Sequence, residues 1–189
     1  MTWITVVTTN QIRETVVLTD MKRFLPAAVA AASVALAGAI PAEAAAIPDF
    51  PAPKIFGTTF QSDPGHDFTK HISPRKDGIL RGWITHVASG QVEYKPIKWV
   101  KDKYTEGYFV GPAQGDVAAY ASPVAKKVVF LSAFGCSGKP AGITVDKQGL
   151  GDKRCSRKLM LSEVKRFRRP SLITVYRGEI VKLQEIYTP

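Results

Sequence analysis

Two cysteines and three histidines are the residues of this chain whose types could support covalent, metal or acid–base chemistry. Cys136 and Cys155 are expected to form a disulfide, because an even cysteine count in an oxidising compartment favours one. A metal site is the alternative, but the residues between them include no histidine, and Asp146 and Asp152 are hard oxygen ligands that suit thiolate sites poorly. The pattern predicts a disulfide-anchored, projecting loop, with no metal and no cofactor.

The histidines give a weaker chemical signal. His66 and His71 flank Asp67 in a turn-rich segment, and their spacing of five does not match the i, i+4 spacing of one helix face. His86 shares a strand face with Leu80 and Ile84, which favours a half-buried structural role. A hydrolase built on one of these histidines and a carboxylate is a third-ranked hypothesis, since no nucleophile motif or carboxylate pair accompanies them.

Residues 135–140 superficially resemble a phosphate-binding loop. That pattern requires glycine where Ala133 stands and serine or threonine where Pro140 stands. Nucleotide binding at Lys139 is therefore rejected.

Residues 153–169 form the densest positive stretch, with Glu163 as the single acidic residue. The basic residues are Lys153, Arg154, Arg157, Lys158, Lys165, Arg166, Arg168 and Arg169. The whole chain carries a net charge of +10. Such an imbalance favours an anionic polymer or acidic protein as partner, although a basic protein also gains solubility from its charge.

A second basic segment, residues 98–103, places lysines beside Trp99 and near Tyr94, Tyr104 and Tyr108. Cations interleaved with aromatic rings can bind a polyanion or stack on sugars and bases. The favoured interpretation is ordinary strand alternation, with the aromatic rings in the core and the lysines in water.

The N-terminal part has the pattern of an export signal. Lys22 and Arg23 precede an uncharged segment over residues 24–40, and small residues suited to signal peptidase follow. We expect residues 1–20 to be an over-extended start, 21–44 a cleaved signal peptide, 45–77 a Pro-rich, mostly irregular arm, and 78–189 one β-rich domain. The protein is thus expected to be secreted, with the cell wall as a candidate site of association.

Strand and turn signals dominate residues 78–189. Hairpins are predicted over 79–87 with 91–99, and over 172–176 with 180–187. An apolar strand is predicted at 127–134, a short strand at 157–161, and a helix at 163–168 capped by Ser162. A bulge in the second hairpin is expected to place Ile173, Val175, Val181 and Leu183 on one face.

These elements predict a β-rich α+β fold. Their order suits a small, partly open β-barrel of OB-like design with one short helix. A twisted antiparallel sheet carrying the helix is the alternative.

The closing sequence LITVYRGEIVKLQEIYTP, with the hairpin sequence GILRGWITHV, resembles small exported proteins of actinobacteria. The resemblance covers about residues 78–99 and 171–189. It implies export and a compact β-rich domain, and it assigns no catalytic residue.

The leading hypothesis is a secreted, non-enzymatic binding module for an anionic cell-surface polymer or an acidic protein. The alternative is a secreted protease inhibitor that acts through the loop 136–155, because a disulfide-anchored loop can present a preformed recognition element.

Overall fold

The computed structural model describes residues 46–116, 118–137 and 142–188. The expected over-extended start and signal peptide, residues 1–44, lie outside this range. The described residues form eight strands and one helix. They are β1 (Gly78–Ala88), β2 (Gln91–Pro96), β3 (Lys98–Val100), β4 (Tyr108–Val110), β5 (Tyr120–Ser132), β6 (Lys153–Cys155), α1 (Arg157–Arg166), β7 (Ser171–Tyr176) and β8 (Glu179–Glu185).

Five of the strands form a closed barrel. Their order is β2-β1-β7-β8-β5, and pairing of β2 with β5 closes the ring. Every contact around the ring is antiparallel except the parallel pairing of β5 with β8. The helix lies between the third and fourth barrel strands, as in an OB-like barrel. The prediction of a small β-barrel with one short helix is therefore confirmed.

The first hairpin turns at Ser89 and Gly90, which both have positive φ angles. A register shift between Ile84 and His86 leaves Thr85 as an extra residue in β1. This bulge reverses the alternation of side chains, so that His86 is exposed and Val87 is partly buried. The prediction that His86 is half-buried beside Leu80 and Ile84 is therefore wrong.

The closing hairpin contains the predicted bulge, but with a different residue displaced. Val175 pairs with Ile180 and Thr174 pairs with Lys182, so Val181 is the unpaired residue. Ile180, and not Val181, joins Ile173 and the rest of the barrel core. The prediction that Val181 shares the face of Ile173, Val175 and Leu183 is thus wrong. The bulge follows Ile180 directly, so Ile180 takes the core position instead.

The barrel interior is filled by large apolar and aromatic side chains from every barrel strand. Fully buried examples are Leu80, Tyr94, Tyr120, Phe130, Ile173, Ile180 and Leu183. Met160 of α1 belongs to the same cluster. Helix α1 therefore packs on β1 and β5 through this side chain.

The N-cap of helix α1 lies six residues before the predicted N-cap, Ser162. The Ser156 hydroxyl accepts the Leu159 N–H at 3.2 Å and caps the helix. The residues predicted as a strand, 157–161, are instead the first part of α1. Their sequence, RKLML, contains only good helix formers, so local propensity and the Ser156 cap act together.

Residues 46–77 contain no helix or strand, yet they are fastened to the barrel. The guanidinium of Arg81 on β1 is buried and donates to the carbonyls of Lys54 and Thr59. The Gln61 side chain bonds the backbone of Ile79 and Arg81. These contacts make the segment a part of the domain surface. Within the described residues, no helix has the length and apolar character required to cross a membrane.

Candidate anionic-partner surface

Strand β6 and helix α1 carry most of the predicted basic stretch. Lys153 and Arg154 lie on β6, a three-residue strand at the sheet edge, and both side chains are exposed. Only one side of β6 is paired, through Leu131 and Ser132 of β5. The edge therefore presents two cations to solvent.

The exposed face of α1 is also basic. Lys158 and Lys165 are seven residues apart and so lie on one face, with Arg166 beside them, and all three are exposed. Met160 and Glu163 are the helix residues that are buried, on the opposite face. We call Lys153, Arg154, Lys158, Lys165, Arg166 and Arg168, all exposed, the β6–α1 surface.

The single acidic residue of the stretch points inward. A carboxylate oxygen of Glu163 lies 3.3 Å from Nη1 of Arg169, which lies 3.0 Å from Oε1 of Glu185. Glu163 and Glu185 are both buried. Their pairing with Arg169 removes the only carboxylate of residues 153–169 from the outer surface.

The eight predicted contact residues thus divide into two groups. Arg169 and the half-buried Arg157, which donates to the Val124 carbonyl at 3.2 Å, have structural contacts. Arg168 is exposed, with its guanidinium 5.9 Å from the Trp83 ring centroid. The inward pair of Glu163 and Arg169 was missed from the sequence, because its partner Glu185 lies in a distant strand whose register is not visible locally.

The cysteines form the predicted disulfide. Their sulfur atoms are 1.95 Å apart and their Cα atoms 5.4 Å apart. Cys155 ends β6 and immediately precedes Ser156, the cap of α1. The disulfide therefore ties the start of the basic helix to the end of β5.

The loop between the cysteines was predicted to project from the domain. In the structure, part of this loop packs on the barrel. Thr144 donates through its N–H to Ala133 and through its hydroxyl to Ser132. Leu150 is buried and bridges to Ile186. Residues 144–151 are thus packed on the barrel, because these backbone bonds and the buried leucine hold them there.

The histidines are separated in the fold. His66 packs against Phe68 and Tyr120, with ring centroids 4.4 and 4.8 Å away, whereas His71 and His86 are exposed. No group of three histidine, cysteine or acidic side chains in the described part of the chain could hold a metal ion.

The aromatic residues of the second basic segment do not all face the core. Trp99 is buried between Phe56 and Phe109, as strand alternation predicts. Tyr104 and Tyr108 are exposed, at 86% and 51% of their full area. Tyr104 lies in the loop that joins β3 to β4, and Tyr108 is the first residue of β4, where it pairs with Val100.

Comparison of the chain with protein-family models, curated proteins and solved structures gives no match. The function is therefore argued from the fold and the charge distribution of this chain.

Proposed function

We propose that this protein is a secreted, non-enzymatic binding module that holds an anionic cell-surface polymer or an acidic protein on its β6–α1 surface. The observation that carries the proposal is the inward pairing of Glu163 with Arg169. Six exposed cations of residues 153–168 then face solvent with no acidic residue of that segment among them.

The arrangement suits a long, flexible polyanion more than a small compact ligand. The cations are spread over an edge strand and a helix face. Each makes a solvent-screened contact of modest strength, so affinity comes from their number and falls as salt competes. The disulfide supports secretion as the setting, because such bonds persist in oxidising compartments.

Binding to immobilised polyuronate and polyglutamate, with neutral dextran as a blank, tests the proposal. The triple variant Lys158→Gln, Lys165→Gln, Arg166→Gln removes three cations from the β6–α1 surface. We expect it to weaken binding by about tenfold or more, at a few tenths to 1 kcal/mol per contact. The two polyanions distinguish a polysaccharide from an acidic protein as the partner class.

The matched control is Lys101→Gln, Lys103→Gln, Lys147→Gln, which removes the same charge from exposed lysines outside residues 153–169. It should bind nearly as well as the parent protein. An equal loss of polyanion binding in the two triple variants would mean that only the net charge matters. The assignment of binding to the β6–α1 surface would then be wrong.

A further inference from the structure

A second candidate site lies on a different part of the molecule. The segment 53–62 and strand β1 line an open cleft of about 520 Å³. Its lining includes Lys54, Arg75 and Arg81, with the hydroxyl-bearing residues Thr58, Thr59 and Ser62. We propose that this cleft binds a small organic oxyanion, a carboxylate or a phosphate monoester.

Arg81 supplies a fixed positive charge at the base of the cleft. Its side chain is only 2% exposed, and it donates hydrogen bonds to the neutral carbonyls of Ile97, Lys54 and Thr59. These bonds use three of the five N–H groups of a guanidinium. The charge itself is therefore not neutralised by the groups that hold it.

Arg75 adds a second buried guanidinium. It is 7% exposed, and its Nη1 donates to the Lys76 carbonyl at 3.2 Å. Its Nε has no hydrogen-bond partner among the described residues. A buried donor left unpaired costs about 1–3 kcal/mol, and a small shift of this side chain toward a bound anion would recover that energy.

No described carboxylate pairs with either arginine within 4.0 Å. Asp63 is within ion-pair distance of other groups, at 3.5 Å from Lys76 and 4.0 Å from His66. Since burying an unpaired charge is costly, an anion supplied by a ligand is the missing partner.

Two other polar clefts of the described residues each contain an acidic residue. The cleft beside Trp83 is lined by Glu93, and the cleft beside His66, which Arg75 also lines, contains Asp63. The lining of the Arg75–Arg81 cleft holds three cations and no acidic residue. The positive charge of this cleft favours an oxyanion as the ligand. A planar guanidinium can donate two parallel hydrogen bonds to a carboxylate or a phosphate.

The rim of the cleft can accept the body of the ligand. The Phe60 ring is 37% exposed, and Nζ of Lys98 lies 5.1 Å from its centroid. A volume of about 520 Å³ lies within the range of small-molecule sites. An apolar or planar group attached to the oxyanion can therefore pack on Phe60.

Nuclear magnetic resonance of arginine Nε–H groups tests this site on the intact protein. Titration with inorganic phosphate, citrate and benzoate should shift the Arg75 and Arg81 signals saturably, while those of Arg154 and Arg166 move only with ionic strength. Saturation by phosphate and not by the carboxylates, or the reverse, identifies the class of oxyanion. Uniform, non-saturating shifts at all arginines would overturn the proposal.

Two variants keep the test decisive. Lys54→Gln changes an exposed lining residue, should fold normally and should weaken anion binding by about tenfold, as expected for one charge-assisted hydrogen bond. Arg75→Gln should remove the saturable shift. Unchanged affinity in Lys54→Gln together with an unchanged shift in Arg75→Gln would contradict the site.

The site stands apart from the β6–α1 surface, and the two proposals fail separately. The triple variant Lys158→Gln, Lys165→Gln, Arg166→Gln should retain the saturable anion shift while it loses polyanion binding. Lys54→Gln should retain polyanion binding. Loss of both activities in either variant would mean that one general electrostatic effect explains both.

Discussion

Arg169 determines which charges of the basic stretch reach solvent. It lies between the buried carboxylates of Glu163 and Glu185, and its guanidinium also packs 4.3 Å from the Phe134 ring centroid. The same carboxylate of Glu185 accepts bonds from Ser132 and Ala133. Arg169 is therefore the cation that two buried acids share, and among the described residues neither acid has another ion-pair partner.

Replacing Arg169 by glutamine should destabilise the protein by about 3 kcal/mol, because it leaves two buried carboxylates without their cation. Chemical denaturation measures the change. Arg168→Gln is the neighbouring control, since Arg168 is exposed, and its unfolding free energy should stay within about 0.5 kcal/mol of the parent. Similar losses in the two variants would show that the internal pairing is not what matters.

Tyr120 makes stability sensitive to alkaline pH. Burial, followed by the nearby charge of Asp63, raises its pKa to about 12 from 10.0. The unfolded chain therefore ionises first, so the stabilisation is complete below pH 10 and is lost as pH rises toward 12. Burial also raises the pKa of Tyr94.

Unfolding free energy should accordingly fall between pH 10 and 12, and Tyr120→Phe should show a shallower fall. Phenolate absorbance provides a second readout, in which two of the six tyrosines titrate late. An equal pH dependence in the parent and Tyr120→Phe would assign the effect to other groups.

At the scale of elements, turn chemistry was the most reliable sequence signal. The two predicted hairpins turn at Ser89-Gly90 and at Arg177-Gly178, and all four residues have positive φ angles. The exact bulge positions were not predictable, because pairing with other strands sets them. Helix α1 was misplaced because Ser156 and Ser162 are both acceptable caps. The helix propensity of residues 157–161 favours the earlier cap, and the longer helix places Met160 in the core.

Gly178→Ala should destabilise the closing hairpin by about 1 kcal/mol, the cost of a positive φ angle in a residue with a Cβ atom. A Cβ at this position would lie 3.6 Å from Pro74, an ordinary contact, so backbone strain alone is tested. Arg177→Asn is the companion variant, and asparagine tolerates this conformation, so it should be neutral or stabilising. Thermal unfolding compares the two.

The disulfide connects the segment after β5 to the last residue of β6, just before α1, across a sequence separation of 19. Cys136→Ser with Cys155→Ser should lower the unfolding free energy by about 3 kcal/mol, as expected for a loop of this length. The double variant should retain the barrel by circular dichroism. No change in denaturation midpoint would show that the bond does not constrain the unfolded chain.

At the scale of the whole molecule, the sequence predicted the barrel, the helix and the disulfide from local patterns. It also identified the basic stretch as a contact candidate. It could not show that Glu163 points inward or that Arg75 and Arg81 meet at one cleft, because both depend on contacts between distant segments. The presence of a basic surface could thus be predicted from the sequence. Which charged side chains reach that surface could be known only from the three-dimensional structure.

The salt dependence of polyanion binding tests the central claim most directly. Affinity for polyuronate should fall linearly on a log–log plot of binding constant against salt concentration. The triple variant Lys158→Gln, Lys165→Gln, Arg166→Gln should have a slope shallower by about two to three, close to one unit per lost contact. A binding constant that is independent of salt, or an unchanged slope in this variant, would contradict the assignment of the β6–α1 surface.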